Sequence, residues 1–267
     1  WQASRAFVAE QQLLTWPDFP IQYAPRPTWA RAAAPYLYFL FYRAPAMQQR
    51  PPVHHYLLVP IEDLSPTEQE QLLRGTNDSV IKLNHVVHHG GVGHHVQNWY
   101  AYHGASRIGQ VAAVDCAARI AMFCGGTMAE GWACYATRLM AEQGFLTPLE
   151  EFGEVHADLR MAARAVVDVR LHRSEFTLEE AARFYAERTA MSAEAAHGEA
   201  VKNSMFPGAA LIYLMGRDTI LALRTDFQRQ LGDRFNLRDF HNRFLSFGSI
   251  PVALIAAAMR EEALHAQ

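Results

Sequence analysis

Apolar residues recur at helical spacing along most of the chain, and polar caps and glycines mark where that spacing starts and stops. Residues 1–15 read as a helix end with apolar periodicity. Pro17, Pro20, Pro25 and Pro27 then break the pattern, so residues 16–34 are expected to be irregular. Two runs rich in aromatic or β-branched residues, Tyr36–Tyr42 and His55–Val59, are bounded by prolines and expected to be extended, enough for a small sheet. From Ser65 the helical pattern returns. Ser65-Pro66-Thr67-Glu68 combines an N-cap serine, a proline at the first helical position and a glutamate at the third. Asn77 or Asp78 caps a segment running into His89, and Thr127–Gln143 is helical up to Gly144. Thr147-Pro148-Leu149-Glu150 opens a helix reaching about Arg173, and Thr177-Leu178-Glu179-Glu180 is a further capping box. More helices are expected at about 194–204, 208–230, 237–246 and 251–265. No repeat and no Pro/Gly/Ser linker divides this pattern. The expectation is a mainly α fold, one domain over residues 1–267, with a small β element near its start.

Composition narrows the function classes. Half of the 267 residues are hydrophobic and 11% aromatic, which excludes disorder as a description of the whole chain. A formal charge of −3 offers no basic field for nucleic acid. The longest apolar stretches, such as Pro35–Tyr42, are too short to span a bilayer. Three widely spaced cysteines, Cys116, Cys124 and Cys134, make no disulfide framework and point to a reducing compartment. The expected location is therefore cytoplasmic, with the periplasm as the alternative if a signal segment has been removed. The chain opens on Trp1, which suggests a processed or partial polypeptide.

Histidine is the unusual residue. There are 13, six of them between His85 and His103. The central string is His88-His89-Gly90-Gly91-Val92-Gly93-His94-His95. Imidazole is the commonest metal ligand near neutral pH, although such a string also suits a polar loop whose histidines cap the flanking helices. His88 and His95 are seven residues apart, about 10.5 Å along an unbroken helix. That is too far for two bonds of about 2.0–2.1 Å to one ion. The glycines permit a break or bulge that returns His94 or His95 to His88, whereas His85 and His89 form a competing i, i+4 pair. Glu130 is the candidate third ligand, because a carboxylate among Met128, Ala129, Trp132, Ala133 and Tyr135 needs a cation, a donor or a proton. The Trp132, Tyr135, Leu139, Met140 stripe and Cys134 read as core.

These residues resemble a bacterial family, domain-of-unknown-function family 885, which carries H-E-x-x-P-G-H-H-L-Q followed by E-G-W-A-x-Y. The matching strings are His88 to Gln97 and Glu130-Gly131-Trp132-Ala133-Cys134-Tyr135. Arg164 to His172 is similar to the family's R-x-x-x-D-x-x-x-H helix, Pro207-Gly208 through Tyr213 and Gly216 to its P-G-x-x-x-x-Y-x-x-G segment, and Phe235 to Pro251, with His241, to its C-terminal end. Members look like zinc metallopeptidases of the gluzincin type and are about twice this long. The resemblance therefore implies a gluzincin-like helical metallopeptidase domain forming the C-terminal half of a longer chain. It implies a zinc site of His88, His94 and Glu130, with His95 as the rival for the second position. It also implies supporting roles for Asp168 and Arg164, a catalytic or substrate-contact role for His172, oxyanion donation by Tyr213, and the same role or substrate orientation for His241.

One departure bears on the reaction. The family's glutamate after the first histidine is His89 here, and Val92 replaces its proline. That glutamate is the general base of a zinc peptidase, and a positioned acid/base contributes about 10²–10⁴-fold to rate. Three readings follow: a metal-dependent hydrolase in which His89 serves as an altered base; a repurposed non-hydrolytic metalloenzyme with a two-histidine, one-carboxylate site, for which iron is the alternative to zinc; or a non-catalytic relative acting as a peptide-binding or assembly subunit. The hydrolase reading is preferred, because Glu130, Asp168, His172, Tyr213 and His241 all remain. The expected partner is a peptide or small amide-like substrate, with no nucleic acid and no membrane span, and with a second chain or a missing N-terminal half completing the cleft.

Overall fold

The computed structural model describes residues 1–31, 52–58, 61–75, 77–104, 106–112 and 124–265. The capping signals act where the sequence places them. Thr147 opens its helix with a reciprocal box, its hydroxyl accepting from Glu150 N while Glu150 Oε2 accepts from Thr147 N. Thr177 and Glu180 repeat the arrangement. Asn77, Ser192 and Asn236 each accept from the backbone N–H three residues on. Such a cap is worth about 1 kcal/mol. At the other end of the Thr127 helix Gly144 takes φ +80°, a conformation that costs glycine little.

In chain order the helices are α1 (Gln2–Glu10), α2 (Thr28–Arg31), α3 (Pro66–Gly75), α4 (Asp78–Val80), α5 (His94–His103), α6 (Arg107–Ala112), α7 (Gly126–Glu142), α8 (Pro148–His172), α9 (Leu178–Thr189), α10 (Ala193–Ser204), α11 (Leu211–Leu231), α12 (Leu237–Ser246) and α13 (Val252–His265). Helix α4 runs directly into a π-helical stretch, Ile81–His89. The strands are β1 (Ile21–Pro25) and β2 (His54–Leu58). The mainly α class with a small β element is therefore observed.

The sheet corrects one expectation. Residues 21–25 are not irregular: they pair in parallel with β2, from Ile21 opposite His54 to Pro25 opposite Leu58. The prolines lie just before the strand and at its last position, where a missing N–H is tolerated. What creates the strand is its distant partner, together with flanking bonds from His54 N to the Pro20 carbonyl and from Arg26 N to the Leu58 carbonyl. The other expected strand, Tyr36–Tyr42, lies outside the described residues.

Two clusters of buried side chains hold the helices. The larger draws Val8, Val87, Val96, Trp132, Tyr135, Leu139, Ile220, Phe244 and Ile255 from α1, the π-helical stretch, α5, α7, α11, α12 and α13. The smaller joins α8, α9 and α10 through Ala163, Val167, Ala181, Tyr185, Ala196 and Ala200. Helices α7 and α11 pack backbone against backbone. A Cβ on Gly131 would stand 2.5 Å from Gly216 Cα, and one on Gly216 would stand 2.0 Å from the Thr127 carbonyl. Only two glycines permit this approach, and it brings the turn of α7 that carries Glu130 beside the turn of α11 that carries Tyr213.

Candidate metal centre

The histidine string folds back on itself at Gly90–Gly93. The π-helical stretch closes with a bond from Gly90 N to the His85 carbonyl, five residues back. The chain then turns so tightly that a Cβ on Gly93 would lie 2.0 Å from the His88 carbonyl and one on Gly91 2.3 Å from the Val86 carbonyl. Trp132 Nε1 donates to the Val92 carbonyl at 2.9 Å and Trp1 Nε1 to the Gly90 carbonyl, pinning the turn from two sides. Helix α5 starts at His94, which returns to His88 with perpendicular rings 4.9 Å apart.

Glu130 completes the group. Its Oε2 lies 3.5 Å from His88 Nε2 and 3.3 Å from His94 Nε2. Charge-assisted hydrogen bonds run about 2.7–2.9 Å, so these separations are long for direct bonding. Donor atoms bound at about 2.0–2.1 Å to one tetrahedral ion stand ~3.3 Å apart. The spacing therefore suits a shared cation better than direct pairing, and two imidazoles with one carboxylate are a donor set that suits zinc or another borderline transition metal.

His89 belongs to the same group. The metal-capable nitrogens of His88, His89 and His94 lie within 4.8 Å of one another. Its Nδ1–H donates to the Asn84 carbonyl at 2.8 Å, which fixes the tautomer and leaves the Nε2 lone pair available. Burial, and then the neighbouring His88 and His94 rings, hold His89 well below the usual imidazole range; burial also lowers His88, against the pull of Glu130. Burial alone would raise the Glu130 carboxyl, but the His94 and His88 rings outweigh it and hold Glu130 well below the carboxylate range. Tyr213 is driven well above its usual value by burial and then by the Glu130 charge, so it stays a phenol.

The remaining candidates divide. His95 turns away: its Nε2 donates to the Phe19 carbonyl at 2.7 Å and its ring stacks on Phe19 at 4.8 Å, tying α5 to the segment before β1. His241 is completely buried with both nitrogens in use. Nδ1 donates to the Leu13 carbonyl at 2.6 Å, and Nε2 accepts from the Tyr135 hydroxyl at 2.6 Å, leaving no nitrogen for a substrate. Asp168 is a structural anchor for α11: its carboxylate accepts from Gly208 N and Ala210 N, each at 2.8 Å, in the turn that starts the helix carrying Tyr213. His172 donates to Asp168 through Nδ1 at 2.9 Å. Arg164 does not pair with Asp168; it forks onto Glu199 of α10 at 2.6 and 2.7 Å. Glu199 gives no local signal in the sequence, where it looks like a solvated acid on an amphipathic helix. Cys134, one turn after Glu130, is a buried thiol that burial raises further.

Fold and site together describe a mainly helical protein whose residues converge on a half-buried histidine–carboxylate cluster. The chain belongs to the family described as bacterial protein of unknown function (DUF885), whose model matches residues 2–259. Two solved structures share its fold. One is a protein of unknown function from Shewanella oneidensis, provisionally assigned as a lipoprotein, with a TM-score of 0.79 at 23% identity, covering 97% of this chain and 44% of that one. The other, from Colwellia psychrerythraea and also provisionally assigned as a lipoprotein, gives 0.72 at 25% identity, covering 97% and 40%. The chain thus spans less than half the length of either. No curated protein matches it. Among the described residues no helix is long and apolar enough to cross a membrane.

Proposed function

We propose that the chain carries the metal centre of a metal-dependent hydrolase of the metallopeptidase type, of gluzincin kind, with an altered general base. The observation that supports this is the separation of His88 Nε2 and His94 Nε2 from one oxygen of Glu130, 3.5 and 3.3 Å, which suits one shared ion. A divalent cation such as zinc supplies Lewis acidity toward a carbonyl and toward water. The chain's own residues do the rest. His88, His94 and Glu130 hold the ion. His89, with Nδ1 committed to the Asn84 carbonyl, presents Nε2 as the proton acceptor in place of the family's glutamate. Tyr213, kept protonated, donates a hydrogen bond to the oxyanion of a peptide or small amide. Asp168 and the Arg164–Glu199 pair hold the helices that present these groups. A second chain or the remainder of a family-length polypeptide would supply another wall of the cleft.

The same His89 geometry favours a second reading. A third imidazole beside His88 and His94 can join the coordination and leave a non-hydrolytic centre, for which iron is the natural ion. Elemental analysis after loading with zinc or iron, followed by cleavage of a peptide panel, separates the readings. The hydrolase reading expects about one zinc per chain, and expects His89→Glu to raise peptide cleavage at least about tenfold, part of the ~10²–10⁴-fold that a positioned base contributes. Retained metal with no cleavage by either form, but activity requiring Fe(II) and oxygen, moves the assignment to the second reading. No metal retained by any form leaves a peptide-binding or assembly role. The lipoprotein assignment of the two solved relatives favours a location outside the cytoplasm over the cytoplasmic one expected from composition, and fractionation of the native host tests it.

A further inference from the structure

Helix α8 is apolar on two sides. One side is packed, where Ala163 and Val167 join the smaller core. The other faces solvent: Phe152, Val155, Leu159, Ala162, Val166 and Val169 are all exposed, Phe152 by 69% and Leu159 by 47%. A helix with one packed face ordinarily turns polar side chains to water, and a contiguous exposed apolar patch marks an interaction surface. The six residues follow one another at alternating steps of three and four, the repeat of a coiled-coil seam. From Phe152 to Val169 the seam runs about 26 Å along the helix.

The seam is complementary to itself when one copy is reversed. An antiparallel pair of α8 helices centred between Leu159 and Ala162 sets Phe152 opposite Val169 of the second copy, Val155 opposite its Val166 and Leu159 opposite its Ala162. Each larger side chain then meets an equal or smaller one, as interdigitated packing requires. At the C-terminal end of the seam Val166, Val169, Arg170 and Arg173 line a shallow cleft. The Phe152 ring of the second copy enters it, beneath guanidinium groups that favour an aromatic face. Charge agrees with this direction. The first turn of α8 carries Glu150 and Glu151, and the last carries Arg170 and His172. Reversal brings the exposed Glu151 opposite Arg170 at both ends. A parallel pair would instead set Glu151 against Glu151, Arg170 against Arg170, and Ala162 against Ala162, with like charges at the ends and a gap in the middle.

We propose that the exposed face of α8 is a self-association surface, on which a second copy of this chain docks its own α8 in the antiparallel sense. The surface acts whatever the reaction at the metal centre. Sedimentation equilibrium of the 267-residue protein measures it. At ~100 μM protein the expected mass is twice the chain mass of 30.1 kDa. Leu159→Glu places a carboxylate at the centre of the seam twice per dimer and is expected to weaken association at least ~100-fold. A monomer at ~100 μM overturns the proposal and leaves the face to another part of a family-length polypeptide. A dimer that survives Leu159→Glu is formed by a different face and overturns it equally.

A charge exchange tests the direction. Glu151→Arg and Arg170→Glu should each weaken the dimer about tenfold, because each sets like charges opposite one another at both ends. The variant carrying both substitutions should regain most of the parent's affinity. Single variants without effect, or a double variant weaker than either single one, overturn the antiparallel arrangement. Thermal melting at concentrations where the parent protein is monomeric should find Leu159→Glu as stable as the parent, since residue 159 is exposed in the single chain. If that variant does not fold, Phe152→Lys, at the more exposed end of the seam, carries the comparison.

Discussion

At the scale of single residues, the site depends on which partner each polar group finds. His95 and His241 are as histidine-like in the sequence as His94, but their ring nitrogens are taken by the Phe19 and Leu13 carbonyls and the Tyr135 hydroxyl. Nothing within a few residues of either histidine encodes those bonds. Arg164 makes the same point, since its partner is 35 residues away in sequence rather than one turn along its own helix. Removing one member of such a pair leaves a charge largely out of water. Glu199→Gln is expected to lower unfolding stability by about 3 kcal/mol in urea titrations, whereas the exposed pair of Arg74 with Glu70, replaced in the same way, should change it by less than about 1 kcal/mol. Glu130→Gln should retain the fold but bind zinc at least ~100-fold more weakly in competition with a chelator, because it removes a direct ligand where loss of a merely orienting partner costs about 10–100-fold.

At the scale of elements, glycines decide where helices can go. The expectation that Gly90, Gly91 and Gly93 interrupt the helix came from their conformational freedom; the structure adds that carbonyls of the preceding turn occupy the space a side chain would need. Gly93→Ala is therefore expected to push His94 away from His88 and to lower zinc affinity more than it lowers thermal stability. Gly131→Ala should do the reverse. Its Cβ would meet the backbone of α11 at Gly216, and overpacking of this kind typically costs about 1–3 kcal/mol, read as a lower melting temperature. The capped helices were legible because a cap and its glutamate lie within four residues. The π-helical turn was not, because its bonds reach one residue farther than the pattern used to find helices, and β1 was not, because its ladder comes from residues more than thirty positions later.

At the scale of the whole molecule, the chain's beginning is sewn to its end. Leu13 meets His241, Thr15 meets Asn242 through backbone and side chain, and Tyr100 reaches the Thr15 carbonyl. Tyr135, bonded to His241, also accepts from Arg224, which pairs with Glu142. This closure carries a pH dependence. Burial lowers His241 to about 4, so between that value and its ordinary 6.5 the unfolded chain takes up a proton that the folded chain refuses. Stability from this group is complete above about pH 6.5 and is lost as pH falls toward 4, by about 3 kcal/mol over the whole window. Urea midpoints at pH 7 and pH 4.5 should differ less in His241→Gln than in the parent protein.

The sequence alone determined that the chain is mainly helical, where most of its helices start and stop, and that the histidine string and Glu130 are chemically out of the ordinary. Those properties are written within a turn or two of each residue, in caps, periodicity and side-chain type. The tertiary structure decided that β1 exists, that His94 rather than His95 returns to His88, and that Glu199 claims Arg164. Each of these is set by an approach between residues distant in the chain, and such approaches are fixed by packing the two cores rather than by any local pattern.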